Sequence, residues 1–551
     1  MTRLWVPILS ATFQGARAEL MRAFEHGADG VELRLDAMGE VGEAELIELC
    51  GLAPGGRDIV LTYRSREEGG LDDASDSERI SRLIAIGPYA HFIDVEHATW
   101  RRSANIRQKV MLALRRARHA DRSGEREIVE HEGRRRLILS RHYLRGRPAK
   151  LTSDLLEMAA IAECDVIKLA WPARSIRDCF EAFELMQSSP RPIIAICMGE
   201  GGSMSRLLAT KFGGFATFAA MPERMTGAGR DEIASTSEGF ASANRSYRGE
   251  MGHVPIDEMR AVYRCESQRR DTAVYGVVGC PVGHSLGPAV HNAAFAAAGL
   301  DAVYLPMLVQ PGFESLKAFM VEALACAGLR LGGVSITSPH KENALRRMEQ
   351  IGGGLDQTCV RVGAVNTLRF DDASGPQPTN TDYWSLAQAM SDACRSAGKS
   401  PAGLHVLVLG AGGMARAAAA AMIDAGARVT VVNRSSERAE ALAGVFGCEW
   451  RPWESRGALD AEAVINCTTV GQADADAAPI DADALKPGMI VADAVYRRRT
   501  VTRLIRDARA SGCHTIDGLE LFVRQAAAQW EFWTGRPAPR ETMARAMTGQ
   551  R

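Results

Sequence analysis

Residues 405–439 restrict the possible folds of this chain more than any other stretch. They contain two apolar runs, 406–409 and 429–432, with an alanine-rich, helix-like segment between them. The turn after the first run has the spacing G-x-G-x-x-A and holds Gly410, Gly412, Gly413 and Ala415. Small residues between a buried strand and a helix let the backbone approach a pyrophosphate at the helix N-terminus. The stretch therefore predicts the strand–turn–helix–strand unit of a Rossmann fold that binds a dinucleotide.

The end of the second apolar run indicates which dinucleotide is bound. NAD sites usually place an Asp or Glu there to bind the ribose 2′-hydroxyl. This chain instead has Asn433, Arg434, Ser435 and, one helical turn later, Arg438. Two guanidinium groups at this spacing suit a 2′-phosphate, because Arg forms strong charge-assisted hydrogen bonds with phosphate. We therefore expect NADP(H) as the cofactor; an ordinary solvated helix start is the alternative interpretation.

The overall charge argues against nucleic acid or a membrane as the main partner, because 66 Lys and Arg residues balance 67 Asp and Glu residues. The twelve cysteines form no C-x-x-C pair. Neither a metal site nor a disulfide framework is therefore indicated, and we expect a cytoplasmic protein. The apolar start, MTRLWVPILSATF, is better interpreted as a first strand than as a signal peptide. No apolar stretch approaches the length of a membrane span.

Short apolar runs, each followed by helix-like sequence, recur through residues 1–225. They are Trp5–Leu9, Gly30–Asp36, Asp58–Arg64, His91–Glu96, Arg136–His142, Cys164–Ala170, Pro192–Met198 and Gly214–Ala219. Eight strands that alternate with helices predict a (β/α)8 barrel, whose active site lies at the C-terminal ends of the strands.

Charged residues inside these runs are candidates for that site. Glu32, Arg34 and Asp36 alternate along one strand, so they share a face, which we expect to line the barrel interior. Lys168 lies in the middle of the sixth run, where a lysine is costly unless it is paired or used. Burial and neighbouring cations would favour the free amine that a Schiff base requires. A structural lysine that snorkels to solvent is the alternative.

His142 lies at the end of the preceding run and could serve as a general acid/base for the same reaction. A lone histidine at a strand end is more often a satisfied polar residue. Its position on the strand next to that of Lys168 favours the catalytic interpretation.

These residues together resemble type I 3-dehydroquinate dehydratase over nearly all of residues 1–225. The motifs that carry the resemblance are the E-x-R-x-D of 32–36, Arg64 with Glu68-Gly69-Gly70, the S-x-H of 140–142, the Lys168 strand, and Met198-Gly199 with Ser205-Arg206. The resemblance implies that Lys168 forms an imine with the ketone of 3-dehydroquinate. It also implies that His142, oriented by Glu68, removes the adjacent proton and helps to expel water. The residues implied to hold the ring hydroxyls and the carboxylate are Glu32, Arg34, Arg64 and Arg206.

Two segments depart from that family's pattern. A charge-rich insertion lies between Arg115 and Arg136, and a longer Gly/Ser/Arg-rich segment stands where the family has a short S-A-P-G-Q lid. The best counterpart of the lid is 249–253, which puts Gly249 and His253 in place of the lid's serine and glutamine.

The second half resembles shikimate dehydrogenase from about Val274 to the C-terminus. Its motifs are the strand and turn 274–287, G-G-V-S-I-T-S-P-H-K at 332–341, G-A-V-N-T at 363–367, N-T-D at 380–382, I-N-C-T-T at 465–469, D-x-V-Y at 493–496 and Gly518 with Gln525. The resemblance implies that Lys341 passes a proton to the carbonyl oxygen while NADPH delivers hydride, and that Asp382 anchors both Lys341 and a substrate hydroxyl. Ser285, Thr337, Asn366 and Gln525 would complete the substrate site, and Thr468 would contact the cofactor.

Departures occur here too. Gly287 replaces the second serine of the family's H-S-x-S-P motif, whose hydroxyl helps to hold the substrate carboxylate. We expect the glycine to leave a gap that water can occupy. Ser335 replaces the asparagine of the N-V-T motif, Ser385 the glycine of N-T-D-x-x-G, and Arg497-Arg498 the usual Asn-Pro.

We therefore predict an α/β protein with four parts. They are a (β/α)8 barrel (1–225), a lid and linker (226–272), a substrate-binding lobe (273–399 with the C-terminal helices 518–551), and a Rossmann NADP-binding domain (400–517).

The predicted function is bifunctional: 3-dehydroquinate is dehydrated, and the product, 3-dehydroshikimate, is reduced to shikimate. One alternative is a reductase that has diverged towards quinate or a related ring acid. Another is a non-catalytic sensor of quinate or shikimate that retains both folds. We expect small-molecule substrates as the partners, and the oligomeric state stays open.

Overall fold

The computed structural model describes residues 2–115, 135–222, 252–283, 285–352, 354–371, 375–458, 460–497 and 500–548. The chain folds into two compact units. The first comprises Met1–Thr272 with Ala325–Gly328, and the second comprises Ala273–Leu324 with Leu329–Arg551. Within the described ranges, no helix combines the length and the apolar character that crossing a membrane requires.

The first unit is built on an eight-stranded parallel sheet in the order β7-β6-β5-β4-β3-β2-β1-β8. The strands are β1 (Arg3–Ile8), β2 (Gly30–Arg34), β3 (Asp58–Thr62), β4 (Phe92–Glu96), β5 (Arg136–His142), β6 (Val166–Pro172), β7 (Ile193–Met198) and β8 (Ala216–Phe218). A bond from Phe215 N to Ile193 O (2.7 Å) joins the two ends of the sheet and nearly closes it. The predicted barrel is confirmed.

Helices follow most of these strands, as a (β/α)8 barrel requires. They are α1 (Phe13–Glu25), α2 (Glu43–Gly51), α3 (Asp76–Ile86), α4 (His97–Arg102), α5 (Ala104–Arg115), α6 (Leu151–Ala159), α7 (Asp178–Ser188) and α8 (Ser203–Leu207). The charge-rich insertion predicted after Arg115 lies mostly outside the described residues.

The barrel interior changes from apolar to polar along the strands. An apolar cluster includes Val60, Phe92 and Val166. Two residues further along the same strands are Thr62, Asp94 and Lys168, all buried. Alternate residues of a strand point to the same side, so the polar side chains form a layer above the apolar one, towards the C-terminal ends of the strands.

Lys211, a buried residue outside this layer, binds the last segment of the first unit. Its side chain is 1% exposed. Nζ donates to Arg270 O at 2.6 Å and to Thr272 O at 2.8 Å. Backbone carbonyls thus satisfy a charge that would otherwise be costly to bury.

The second unit contains two sheets. The five-stranded sheet has the order β10-β9-β11-β12-β13 and the six-stranded sheet the order β16-β15-β14-β17-β18-β19. The strands of the first are β9 (Ala273–Gly279), β10 (Ala302–Leu308), β11 (Leu331–Ile336), β12 (Thr367–Asp371) and β13 (Gly375–Thr379). Those of the second, all parallel, are β14 (His405–Leu409), β15 (Arg428–Asn433), β16 (Glu449–Pro452), β17 (Ala463–Asn466), β18 (Ile490–Asp493) and β19 (His514–Ile516).

The six-stranded sheet is the predicted Rossmann fold, and its strand order reverses between β14 and β17, the position at which such sheets bind dinucleotides. The helices of the second unit are α9 (Gly287–Ala297), α10 (Phe313–Ala325), α11 (Lys341–Ile351), α12 (Gln357–Val362), α13 (Thr381–Ser396), α14 (Gly413–Asp424), α15 (Ser436–Phe446), α16 (Arg503–Ala510), α17 (Gly518–Thr534) and α18 (Arg540–Thr548). The helix α17 returns to the five-stranded sheet, where Trp533 Nε1 donates to Leu368 O at 2.9 Å.

Candidate active sites

A cavity of about 230 Å³ opens at the C-terminal ends of the barrel strands. Its lining includes all seven residues predicted for the barrel site: Glu32, Arg34, Arg64, Glu68, His142, Lys168 and Arg206. His253, the residue aligned with the glutamine of the lid, also lines it. Gly249, aligned with the lid's serine, lies outside the described residues.

Lys168 projects into the barrel rather than towards solvent, and its side chain is 5% exposed. Nζ donates to Glu32 Oε1 at 2.7 Å and to Asp94 Oδ2 at 3.1 Å. It also lies 4.5 Å from the centre of the Phe218 ring. The snorkelling alternative is therefore wrong. We expected cations next to Lys168, but the charged groups that its ammonium contacts are the carboxylates of Glu32 and Asp94.

His142 is held at the rim of the same cavity by Glu68. Glu68 Oε2 accepts a bond from His142 N at 2.9 Å and lies 3.1 Å from its Nδ1. Burial, together with the positive charges of Arg64 and Lys168, lowers the pKa of His142 well below its ordinary value of 6.5. Burial, with the nearby Glu96, raises the pKa of Glu68 to about 8. The imidazole is thus neutral at pH 7 and able to accept a proton.

Asp94 is a site residue that the sequence reasoning missed. Its carboxylate accepts bonds from Lys168, from Arg64 at 2.8 Å and from Ser140 at 2.5 Å. Burial alone would raise the pKa of Asp94, but Arg64 and Lys168 outweigh it and lower that pKa to about 2. The alternation of Asp94 and Glu96 in FIDVE was an available signal, the same one that identified Glu32 and Arg34.

Arg34 is oriented by Asp36, two residues further along the chain. Nε donates to Asp36 Oδ1 at 3.0 Å and Nη2 to Oδ2 at 2.8 Å, a bidentate pair that fixes the plane of the guanidinium. Both residues are buried. The motif E-x-R-x-D therefore supplies two cavity residues and the carboxylate that positions one of them.

In the second unit, Lys341 and Asp382 form an ion pair at the starts of two helices, α11 and α13. Lys341 Nζ lies 2.5 Å from Asp382 Oδ2. Asp382 is fully buried. Within the described ranges, its other oxygen, Oδ1, is buried and has no hydrogen-bond partner. A buried carboxylate oxygen without a donor is costly, which suggests that a ligand hydroxyl completes the pair.

The other predicted substrate residues lie on several elements of the second unit. Ser285 lies two residues before the start of α9, Thr337 follows β11, and Gln525 is half-buried in α17. Asn366 is fully buried; its Oδ1 accepts from Thr381 N at 2.8 Å, and its Nδ2 donates to Thr381 Oγ1 at 3.0 Å. Nδ2 carries two hydrogens, and the described residues accept one of them, so the second is left for a ligand.

The gap expected at Gly287 is filled by the ring of Tyr304. A Cβ added at Gly287 would stand 2.9 Å from Tyr304 Cε1, closer than real Cβ atoms come to a neighbour. The expectation of a water-filled space was therefore wrong. It failed because the strand β10, 17 residues away in sequence, presents an aromatic side chain at this position.

A second cavity, of about 490 Å³, lies at the C-terminal ends of the Rossmann strands. Its lining includes six of the residues predicted for the cofactor: Gly410, Gly412, Asn433, Arg434, Arg438 and Thr468. Gly410 has φ +114°, and a Cβ there would lie 3.0 Å from Cys467 O. A Cβ at Gly412 would meet no described atom within 4 Å, so open space lies beside the backbone there. These residues fit a dinucleotide with a phosphorylated ribose.

The other three residues predicted for the cofactor are not in this lining and have structural roles nearby. Ala415 is buried in the core, and Gly413 allows Lys341 to pass, since a Cβ there would stand 2.9 Å from Lys341 Cδ. Ser435 caps α15 by accepting from Arg438 N at 3.4 Å. Trp453, which the sequence reasoning missed, lines the cavity.

Comparison with known families matches both halves of the chain. Residues 4–269 match the type I 3-dehydroquinase family, and 277–368 match the substrate-binding domain of shikimate dehydrogenase. Residues 393–470 match the shikimate/quinate 5-dehydrogenase family, and 518–548 match the C-terminal domain of shikimate 5′-dehydrogenase.

Among individual proteins, the chain is 32% identical to the chloroplastic bifunctional 3-dehydroquinate dehydratase/shikimate dehydrogenase of Arabidopsis thaliana, over 97% of this chain and 82% of the relative. It is 39% identical to the NADP(+)-dependent shikimate dehydrogenase of Halobacterium salinarum, over 50% of this chain and 98% of that protein. A crystal structure of shikimate 5-dehydrogenase from Thermus thermophilus with NADP(H) and shikimate is 33% identical over 51% of this chain and 100% of its own, with a TM-score of 0.43. The match to the bifunctional plant enzyme covers 97% of this chain. It favours neither alternative function, the non-catalytic sensor or the diverged reductase.

Proposed function

The chain belongs to the bifunctional 3-dehydroquinate dehydratase/shikimate dehydrogenase family, and from that premise we propose which residues carry out each reaction. The enzyme dehydrates 3-dehydroquinate and reduces the resulting 3-dehydroshikimate to shikimate, with NADP(H) as cofactor. We assign dehydration to the barrel (1–225), followed by a lid and linker (226–272). Reduction is assigned to a substrate lobe (273–399 with 518–551) and a cofactor lobe (400–517).

In the barrel, Lys168 is the nucleophile. After its ammonium passes a proton to the neighbouring carboxylate of Glu32, the amine attacks the ketone carbon, and loss of water gives an imine. The imine draws electrons from the adjacent carbon and so acidifies its C–H bond. His142 takes that proton as a neutral base and returns it to the departing hydroxyl group, which leaves as water. A water molecule then hydrolyses the imine, which releases 3-dehydroshikimate and restores the amine of Lys168. The observation that carries this assignment is the buried Lys168 beside a neutral His142 in one cavity.

The remaining cavity residues bind the substrate. Arg34, held in place by Asp36, and Arg206 present positive charge to the substrate carboxylate. Glu32 accepts from ring hydroxyls. Arg64 holds Asp94 and Glu68 in position, at 2.8 Å and 3.7 Å.

In the second unit, Lys341 donates a proton to the carbonyl oxygen, and Asp382 holds the ammonium in place. The free oxygen of Asp382, Oδ1, accepts a bond from the substrate hydroxyl. Ser285, Thr337, Asn366 and Gln525 hold the rest of the substrate.

NADPH supplies the hydride when it is bound. Gly410 and Gly412 let the backbone approach its pyrophosphate, and Arg434 and Arg438 bind the 2′-phosphate. We place the enzyme in the cytoplasm, as the absence of a C-x-x-C pair among its twelve cysteines predicts.

The test uses each half of the enzyme as the control for the other. Lys168→Ala should abolish dehydration of 3-dehydroquinate and leave NADPH-dependent reduction of 3-dehydroshikimate intact. Asp382→Asn should do the reverse. With borohydride and 3-dehydroquinate, mass spectrometry should find a stable adduct on the peptide that contains Lys168. An adduct that persists in Lys168→Ala would refute the assignment of the nucleophile, and a variant that disables both reactions would indicate a structural role.

A further inference from the structure

The hydroxyl of Tyr304 stands where the substrate motif lacks its second serine. A Cβ added at Gly287 would lie 3.2 Å from Tyr304 Oη and 3.2 Å from Ser285 Oγ. The tyrosine hydroxyl therefore lies within hydrogen-bonding reach of the space that a serine side chain at position 287 would occupy. It is next to the serine that the motif retains.

A chain of buried hydrogen bonds holds this hydroxyl in place. Tyr304 Oη lies 2.7 Å from Ser335 Oγ, Ser335 Oγ donates to Gln529 Oε1 at 3.0 Å, and Gln529 Nε2 donates to Thr367 Oγ1 at 3.1 Å. Since Ser335 has given its one proton to Gln529, its oxygen accepts from Tyr304. Ser335 and Gln529 are both buried, so the chain is shielded from water.

The ring is fixed as firmly as its hydroxyl. His291 stacks on it at 4.4 Å between ring centres, and Trp533 lies 5.9 Å away. Tyr304 is 1% exposed. Burial raises the pKa of Tyr304 above its ordinary value, so the phenol keeps its proton. The hydroxyl is therefore held in one position with its proton on the oxygen.

We propose that Tyr304, held by Ser335 and Gln529, is a specificity-determining residue that donates a hydrogen bond to the substrate carboxylate in place of the missing serine. Without substrate, the hydroxyl hydrogen of Tyr304 points to Ser335 Oγ. When the substrate binds, this hydrogen turns to the carboxylate. Two departures from the family motif, Gly287 and Ser335, then form one arrangement: the glycine makes room for the ring, and the short serine leaves room for Gln529. The proposal rests on the proposed place of Ser285 in the substrate site.

The test removes one oxygen atom. Tyr304→Phe should raise the KM for shikimate about tenfold, as the loss of a bond to a charged group predicts. It should change kcat by less than about twofold, because Lys341 and Asp382 remain. The matched control is Tyr275→Phe, since Tyr275 is the cross-strand neighbour of Tyr304 and packs against the same Trp533. This control should leave KM unchanged, and dehydration of 3-dehydroquinate should be normal in both variants.

A ligand without the carboxylate charge distinguishes the loss of the Tyr304–carboxylate hydrogen bond from a change in side-chain packing. With the carboxamide of shikimate, Tyr304→Phe should change KM less than with shikimate itself. An equal change with both ligands, or an unchanged KM for shikimate, would overturn the proposal. Ser285→Ala distinguishes that failure from a failure of the proposed site. If Ser285→Ala raises KM while Tyr304→Phe does not, only this inference falls; if neither does, the placement of the substrate is wrong.

Discussion

Replacing Arg434 by alanine should weaken the use of NADPH and leave the use of NADH nearly unchanged. A hydrogen bond to a charged group contributes about 1.5–3 kcal/mol, which corresponds to roughly tenfold to a hundredfold in kcat/KM. Arg434 and Arg438 line the same cavity, but both side chains are exposed. Because solvent screens exposed charges, we expect the lower end of the range, about tenfold for each substitution.

The assay measures kcat/KM for NADPH and for NADH at a fixed concentration of 3-dehydroshikimate. Arg428→Ala is the matched control, since Arg428 is an exposed arginine at the opposite end of the same strand, β15. The loss caused by Arg434→Ala should shrink as salt is added, because it is electrostatic. Equal losses with both cofactors would show that Arg434 is structural and would refute the reasoning.

Three further predictions concern the barrel. His142→Ala should still allow borohydride to label Lys168 but should slow dehydration by about 10²–10⁴-fold, the usual contribution of a general acid/base; loss of labelling would contradict it. Because the pKa of His142 is lowered, the imidazole stays neutral as the pH falls through 6.5, so kcat/KM for dehydration should begin its acid decline below that value; a midpoint at 6.5 or above would count against a neutral base. Asp94→Asn should destabilise the first unit by about 3–5 kcal/mol in denaturant unfolding, because it leaves Arg64 and Lys168 with one fewer buried anion; Asp73→Asn, which alters an exposed pair, should cost less than about 1 kcal/mol.

Both folds could be predicted because their signals are local. Val31, Leu33 and Leu35 alternate with charged residues, so one strand reveals which side chains face the barrel interior. The Rossmann turn is equally local, since its glycines adjoin the strand and the helix that they connect. Cavity residues at the ends of strands could be predicted for the same reason, because parallel strands bring their C-terminal ends to one edge.

Contacts between distant segments could not be predicted. The partners of Lys168 lie on β2 and β4, 136 and 74 residues away, and the bond from Ser335 to Gln529 spans 194 residues. The interpretation of Gly287 as a gap failed for this reason: a motif shows which side chain is missing, but packing decides what takes its place. Tyr304 has no signal in the motif itself.

The bonds of Lys211 also determine where the enzyme can be divided. A fragment that ended before Arg270 would remove both carbonyls that solvate a buried ammonium, and such a charge left unpaired costs several kcal/mol. A fragment that began after Ala273 would lose the first rung of the β9–β10 ladder, which pairs Ala273 with Ala302. A division at the peptide bond between Thr272 and Ala273 therefore keeps both the bonds of Lys211 and the full β9–β10 ladder.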